Sequence, residues 1–143
     1  MSSKRPHVRS KRVFRTCPEP ELFPLDIESK LPPGDIARKI KAGMQAMDPS
    51  SLRSLYEDRG GIAYDPVSML GIVLLAWSKG VRSSRDIEDR CRTDIRFMWI
   101  SGGIEPDYRS VLRFLNRLAP AMDGIQKRFV EACVELGFLQ PRR

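Results

Sequence analysis

Histidine is almost missing from this 143-residue chain, and cysteine is scarce and scattered: His7, Cys17, Cys91 and Cys133 are the whole supply. A four-ligand zinc site would use every one of them, and a three-histidine catalytic zinc is excluded. An odd, widely spaced cysteine set also argues against a disulfide framework, so reduced thiols are expected. No cofactor and no metal site is expected. Long apolar runs are missing too. The longest, 69–77, has nine residues, far short of the roughly 20 that span a bilayer. The N-terminus has the charge of a signal peptide without an apolar segment behind it. An organelle transit peptide would need more apolar face than Val8, Val13 and Phe14 supply. A protein of the cytoplasm with no membrane partner is the expectation.

Acid is the third absence, and it is local. Residues 1–16 carry Lys4, Arg5, Arg9, Lys11, Arg12 and Arg15 with no Asp or Glu, whereas the other 127 residues carry 19 basic and 18 acidic groups. The formal net charge of +7 therefore sits almost wholly on a cationic arm ahead of a nearly neutral body. Basic tails of this kind hold phosphates non-specifically or enter a minor groove. Pro18, Pro20, Pro24, Pro32 and Pro33 prevent regular helix and extend the lead-in. The chain divides into an arm, 1–34, and a helical domain, 35–143.

Within the domain the punctuation is helical. Asp35 can cap a helix reaching about Met47. Asp48-Pro49 and Asp65-Pro66 each pair a cap with proline at the first helical position, and Gly60-Gly61 and Gly80 stop those two helices. Ser83 and Asp86 have capping-box spacing. Asp107 can start a helix through Leu118, and a last one runs from about Pro120 to Leu136, ahead of Gly137. No stretch alternates with period two for long enough to demand a sheet. The expectation is an all-α, compact bundle of five or six helices.

Periodicity assigns places within that bundle. Segment 66–79 sets Leu70, Leu74, Leu75, Ile72, Val73, Met69 and Trp77 almost all round its axis, as a central helix does. Segment 84–92 buries only Ile87 and Cys91, while Asp86/Arg90 and Glu88/Arg92 are acid-before-base pairs at the stabilising spacing. Trp77 and Trp99 are expected in the core.

Segment 107–118 carries the clearest functional signal. With Arg109 at 0° on a helical wheel, Asn116 falls near about −20°, Arg113 about 40°, Arg117 about 80° and Ser110 about 100°. Phe114, Leu118, Val111, Leu115 and Leu112 occupy roughly 140° to 300°. Three guanidiniums along about 12 Å of helix, with an Asn and a Ser beside them, suit a major-groove face. Arg can bond guanine bidentately, Asn can bond adenine, and all of them can hold phosphates. A charged, solvated face is the plain alternative, but such faces usually mix signs, and this one has no acid after Asp107. The interval 93–106 is too long for a tight helix-turn-helix. Its own apolar cluster (Ile95, Phe97, Met98, Trp99, Ile100) and Gly102-Gly103 suggest a short extra helix there. The whole is helix-turn-helix-like. Arg82 and Arg85 flank a helix start whose free amides can also hold phosphate.

The runs Tyr64-Asp65-Pro66, 69–75 and Gly80-Val81-Arg82-Ser83-Ser84-Arg85-Asp86-Ile87-Glu88 resemble bacterial insertion-sequence DDE transposases, in their InsH-type N-terminal region. The likeness continues through 94–100, Gly102-Gly103, 106–110 and Phe114, with Leu31-Pro32 and Ile36-Ala37-Arg38 upstream. It covers roughly residues 30–118, about three fifths of the chain. The resemblance implies a helical DNA-binding domain that recognises the terminal inverted repeats of a mobile element. Catalysis in that family lies in a following ribonuclease H-like domain with three metal-binding carboxylates, expected to begin where this chain stops, so no catalytic residue is carried over. At Leu115-Asn116 relatives place a basic residue after the Phe.

The expected division of labour is end recognition by Arg109, Ser110, Arg113, Asn116 and Arg117, with phosphate anchoring by Arg82, Arg85, Lys4, Arg5, Arg9, Lys11, Arg12 and Arg15. The partner is double-stranded DNA, with a catalytic transposase chain or a second copy as further candidates, on the bacterial nucleoid. One rival is a repressor from a truncated element that binds the same ends. The other is a dimerisation or docking module, supported by the stripe Ile125, Phe129, Ala132, Cys133 and Leu136.

Overall fold

The computed structural model describes residues 13–15, 26–56 and 63–140. Lys4, Arg5, Arg9, Lys11, Arg12 and Cys17 lie outside them, as do Gly60-Gly61. Six α-helices are present among the described residues: α1 (Ile36–Ala46), α2 (Pro66–Ser78), α3 (Ser84–Thr93), α4 (Ile95–Ile100), α5 (Tyr108–Leu118) and α6 (Met122–Glu135). Short 3-10 helices occupy Glu28–Lys30, Pro49–Leu55 and Ala119–Ala121. The fold is the expected helical bundle, and α4 is the extra helix anticipated in the 93–106 interval. One feature was not anticipated. β1 (Phe14–Arg15) pairs in parallel with β2 (Ala63–Tyr64), Phe14 opposite Ala63 and Arg15 opposite Tyr64. Two residues per strand are too few to leave a period-two pattern.

The caps read from the sequence form as hydrogen bonds. Asp35 accepts from the Ala37 amide at 3.0 Å, Asp65 from Ser68 at 3.2 Å, Ser83 from Asp86 at 3.4 Å and Asp107 from Ser110 at 2.7 Å. Asp94 adds a fifth at the start of α4, accepting from Arg96 at 2.9 Å. Each such cap is worth about 1 kcal/mol. Asp48 departs from expectation: it sits at φ 54°, in the left-handed region, and Pro49 opens a 3-10 helix that ends at Leu55 instead of an α-helix reaching Gly60. Gly80 ends α2 as expected. At φ 74° its amide bonds the Trp77 carbonyl at 3.0 Å, and the Val81 amide reaches Ala76 at 2.8 Å. This double closure needs a residue without Cβ strain at that φ.

Helix α2 is the centre of the core. Met69, Leu70, Ile72, Val73, Leu75 and Ala76 are all buried, consistent with its apolar girth. Full burial of one such large side chain contributes about 1.5–3 kcal/mol. Helix α1 packs on α2, α4 and α6, while α5 packs on α3 and α2. The α1–α6 approach is close at Gly43, where an added Cβ would stand 2.9 Å from Cys133 Sγ and from the Phe129 ring. Trp77 and Trp99 pack on the core while only partly buried. Trp99 also carries Arg38 at 5.1 Å and Lys41 at 4.4 Å from its ring centroid, and its indole N–H donates to Glu28.

The lead-in just before α1 is held to the body. Arg38 pairs with the Glu28 carboxylate at 2.7 Å and donates to the carbonyls of Glu28, Leu31 and Pro32. Leu31 is buried in consequence. On the other side of α1's start, buried Asp35 takes Arg96 Nε at 2.8 Å. Burial alone would push its carboxyl up, but the Ala37 amide and the Arg96 guanidinium outweigh that and hold it below the ordinary 3.8. A depressed folded pKa adds stability that is complete above the unfolded value and lost as pH falls through the folded one. Wild-type stability is therefore expected to decline below about pH 4. Asp35→Asn, which keeps a capping oxygen but not the charge, should cost about 1 kcal/mol at pH 7 and flatten part of that acid decline. Urea unfolding between pH 2 and 7 measures both.

Candidate nucleic-acid interface

Helix α5 separates its faces much as the wheel predicts. Val111, Phe114 and Leu118 are buried; Arg109, Arg113, Asn116 and Arg117 are exposed, with Ser110 half-exposed between them. The apolar stripe is narrower than expected. Leu112 is 45 % exposed and Leu115 only half-buried, because α3 and α2 cover the centre of the apolar sector and leave Leu112 at its edge, beside the Asn116 direction.

Among the described residues the arginines differ in their partners. Arg38, Arg53, Arg90, Arg92 and Arg96 are paired with carboxylates: Glu28, Asp65, Asp86 with Asp94, Glu88 with Glu105, and Asp35. Arg82, Arg85, Arg109, Arg113 and Arg117 make no ion pair among the described residues. Their neutral contacts are specific. Arg113 donates to Ser110 Oγ at 3.2 Å, and Arg109 Nε donates to the Tyr108 hydroxyl at 3.2 Å. Arg85, reaching over from α3, lies 4.3 Å from the Tyr108 ring centroid, and Arg117 lies 4.0 Å from that of Tyr56. Asp86, the nearest carboxylate in sequence to Arg85, is engaged by Arg90 at 3.3 Å, the i,i+4 pair expected from spacing. Arg128, also without a carboxylate partner, bonds instead to Gly124 and Ser51 on the α6 side.

Asp107 is the one acid at the start of this face, and it is occupied. The Ser110 hydroxyl and amide, helped by Arg113 and Arg109, hold its carboxyl below the ordinary range. Guanidiniums without carboxylate partners keep their planar N–H forks for phosphate oxygens or a guanine edge, which they match bidentately.

The structure also supplies residues that sequence reasoning did not single out for a role. Tyr108 stands between Arg85 and Arg109. Tyr56 stands under Arg117 and meets the Phe14 ring edge-on at 5.5 Å. These pairings join residues 23, 61 and 42 positions apart in sequence, so no local pattern could reveal them. The Phe14 contact brings the root of the arm beside the last turn of α5. Arg15 follows on β1, at the same root.

The described residues contain no group of three His, Cys, Asp or Glu that could hold a metal ion, and no helix long and apolar enough to cross a membrane. Cys91 and Cys133 are buried free thiols, and burial pushes Cys91 up to about 12, the wrong direction for a nucleophile.

The described residues form a small, mostly helical body in which five arginines without an ion pair among those residues lie on one helix and at the start of its neighbour, with Arg128 apart from them on α6. The chain belongs to the transposase domain family (DUF772), whose pattern it matches over residues 25–117. No curated protein and no solved structure matches it. The matched span takes in α1 to α4 and nearly all of α5, and leaves α6 outside.

Proposed function

We propose that this chain is the end-recognition domain of an insertion-sequence transposase, a non-catalytic module that binds the element's terminal inverted repeats. Membership of a transposase family supports an interaction with DNA in general. The observation that carries the finer reading is the division of the arginines. Carboxylates pair with Arg38, Arg53, Arg90, Arg92 and Arg96 on the body, whereas among the described residues none pairs with the five on α5 and at the α3 start. In this reading α5 enters the major groove with Arg109, Arg113 and Asn116 toward base edges, supported by Ser110. Arg82 and Arg85 hold phosphate. Arg117 lies over the Tyr56 ring, which also meets Phe14, and Lys4, Arg5, Arg9, Lys11, Arg12 and Arg15 are assigned to phosphates of the same duplex. The arm (1–34) and helical domain (35–143) then act as phosphate clamp and base reader in the bacterial cytoplasm.

The test is fluorescence anisotropy over a salt series, using a duplex selected by the chain from a random pool and a scrambled duplex of equal composition. Counterion release gives a log–log slope of about −0.9 per phosphate neutralised. The expected result is tighter binding to the selected duplex, and deletion of residues 1–12 should flatten the slope on both. Failure of the pool to enrich any sequence would remove end recognition.

A second reading, a docking or dimerisation module, is favoured by the exposed Val130, Leu136, Phe138 and Leu139 on and after α6. It predicts a concentration-dependent dimer in sedimentation equilibrium, with no duplex present.

A further inference from the structure

We propose that Tyr108 is a positioning residue, whose ring seats the Arg85 guanidinium and whose hydroxyl holds Arg109, so that arginines from two helices meet DNA as a preset pair. This deepens the DNA reading above and rests on it. The geometry assigns each arginine a different task. The Arg85 guanidinium carbon lies over the ring, 4.3 Å from its centroid. A guanidinium seated over a ring by cation–π attraction keeps N–H groups that can bond a phosphate while it remains there. Arg109 is held differently. Its Nε donates to the tyrosine hydroxyl at 3.2 Å, with its guanidinium 5.6 Å from the ring centroid. That leaves both terminal nitrogens for an end-on, bidentate contact of the kind guanine O6 and N7 accept.

Packing alone gives no reason for a polar aromatic here. Helices α3 and α5 pack against one another, with Ile87 and Cys91 buried on the first and Val111 and Phe114 on the second. Tyr108 is only half-buried. What it adds is restriction of two long side chains that would otherwise lose many rotamers on binding.

The experiment compares Tyr108→Phe and Tyr108→Leu with wild type in two measurements. Proton NMR of the free protein reads the ring-current shift of the Arg85 side chain, which needs no DNA. Anisotropy across the salt series reads binding to the selected and scrambled duplexes. Tyr108→Phe keeps the ring and should keep the Arg85 shift and the salt slope. Losing the hydroxyl should reduce its preference for the selected duplex about threefold. Tyr108→Leu should abolish the shift, weaken binding to the scrambled duplex about fivefold and to the selected duplex by about a further threefold, and make the slope shallower by about 0.9, one phosphate contact. Arg85→Ala should reproduce that slope; on the scrambled duplex the Arg85→Ala/Tyr108→Leu pair should be no worse than Arg85→Ala alone, and on the selected duplex worse only by about the threefold that Tyr108→Phe loses. This holds the prediction to account should the leucine variant melt early.

A leucine variant with wild-type slope and affinity, or an Arg85 shift absent from wild type, would overturn the proposal. If wild type binds no duplex, the DNA reading falls and the positioning role with it. An intact Arg85 shift in that case would show that the stack exists and that the functional reading was at fault.

Discussion

Phe97→Ala is expected to lower the unfolding free energy by about 3–5 kcal/mol, the range for truncating a fully buried phenylalanine. Phe97 is 0 % exposed on a helix of only six residues. Such a helix has too few internal hydrogen bonds to hold itself, so its place depends on packing. The neighbours able to collapse into the vacated volume belong to α1, α2 and α3, which are fixed by their own contacts. With total stabilities of about 5–15 kcal/mol for domains of this size, the change removes a large fraction, and melting should fall by about 10–20 °C. Urea titration should show a lower midpoint at unchanged slope. Leu112→Ala, at an exposed position, should stay within about 0.5 kcal/mol of wild type. A Phe97→Ala loss under about 1 kcal/mol would mean that α4 lies on the fold and is not part of its core.

The second large effect concerns binding. Arg109→Ala combined with Arg113→Ala is expected to weaken binding to the selected duplex by about 2–4 kcal/mol, at about 1–3 kcal/mol for each base-reading arginine and less than additive for neighbours one turn apart. Binding to the scrambled duplex should fall only several-fold, so the preference collapses. Both side chains lie on the exposed face, and each is held in the free protein by one neutral hydroxyl through one nitrogen, which leaves its other N–H groups for nucleic-acid acceptors. Arg53→Ala is the contrast. That guanidinium is committed to Asp65 at 3.0 Å, so it should affect stability and leave the preference intact. Equal losses on both duplexes would reduce α5 to a phosphate contact. No loss on either would make its outer face plain solvated surface.

Much of the fold is legible in the sequence, for a physical reason. Helix starts and stops are local chemistry, written within four residues. Asp35, Asp65, Ser83 and Asp107 each cap the helix that follows, and Gly80 ends the one before it. The apolar girth of α2 likewise needs no partner to be recognised. The departures lie elsewhere. Asp48 takes the left-handed region at φ 54°, and the segment after it is a 3-10 helix. Leu112 is left uncovered because its exposure depends on the width of α3 and α2, not on its own periodicity. At the candidate interface, the α5 arginines were visible as a face. Their freedom from carboxylates was only half visible, since Arg53–Asp65 and Arg96–Asp35 are tertiary pairings. The Tyr108 and Tyr56 stacks were not visible at all.

The two-residue ladder at β1 and β2 has a mechanical consequence. Ala63 donates to the Val13 carbonyl at 3.0 Å. One residue beyond β2 stands Asp65, the cap of the central helix. Tyr64 itself donates to the Glu105 carbonyl at 3.3 Å, two positions before the cap of α5. A pull along the chain ahead of Val13 thus loads a short shear joint. Beyond that joint the load divides between the most deeply buried helix and the root of the arginine helix. Tension applied there would reach the cap of α2 and the segment just before α5.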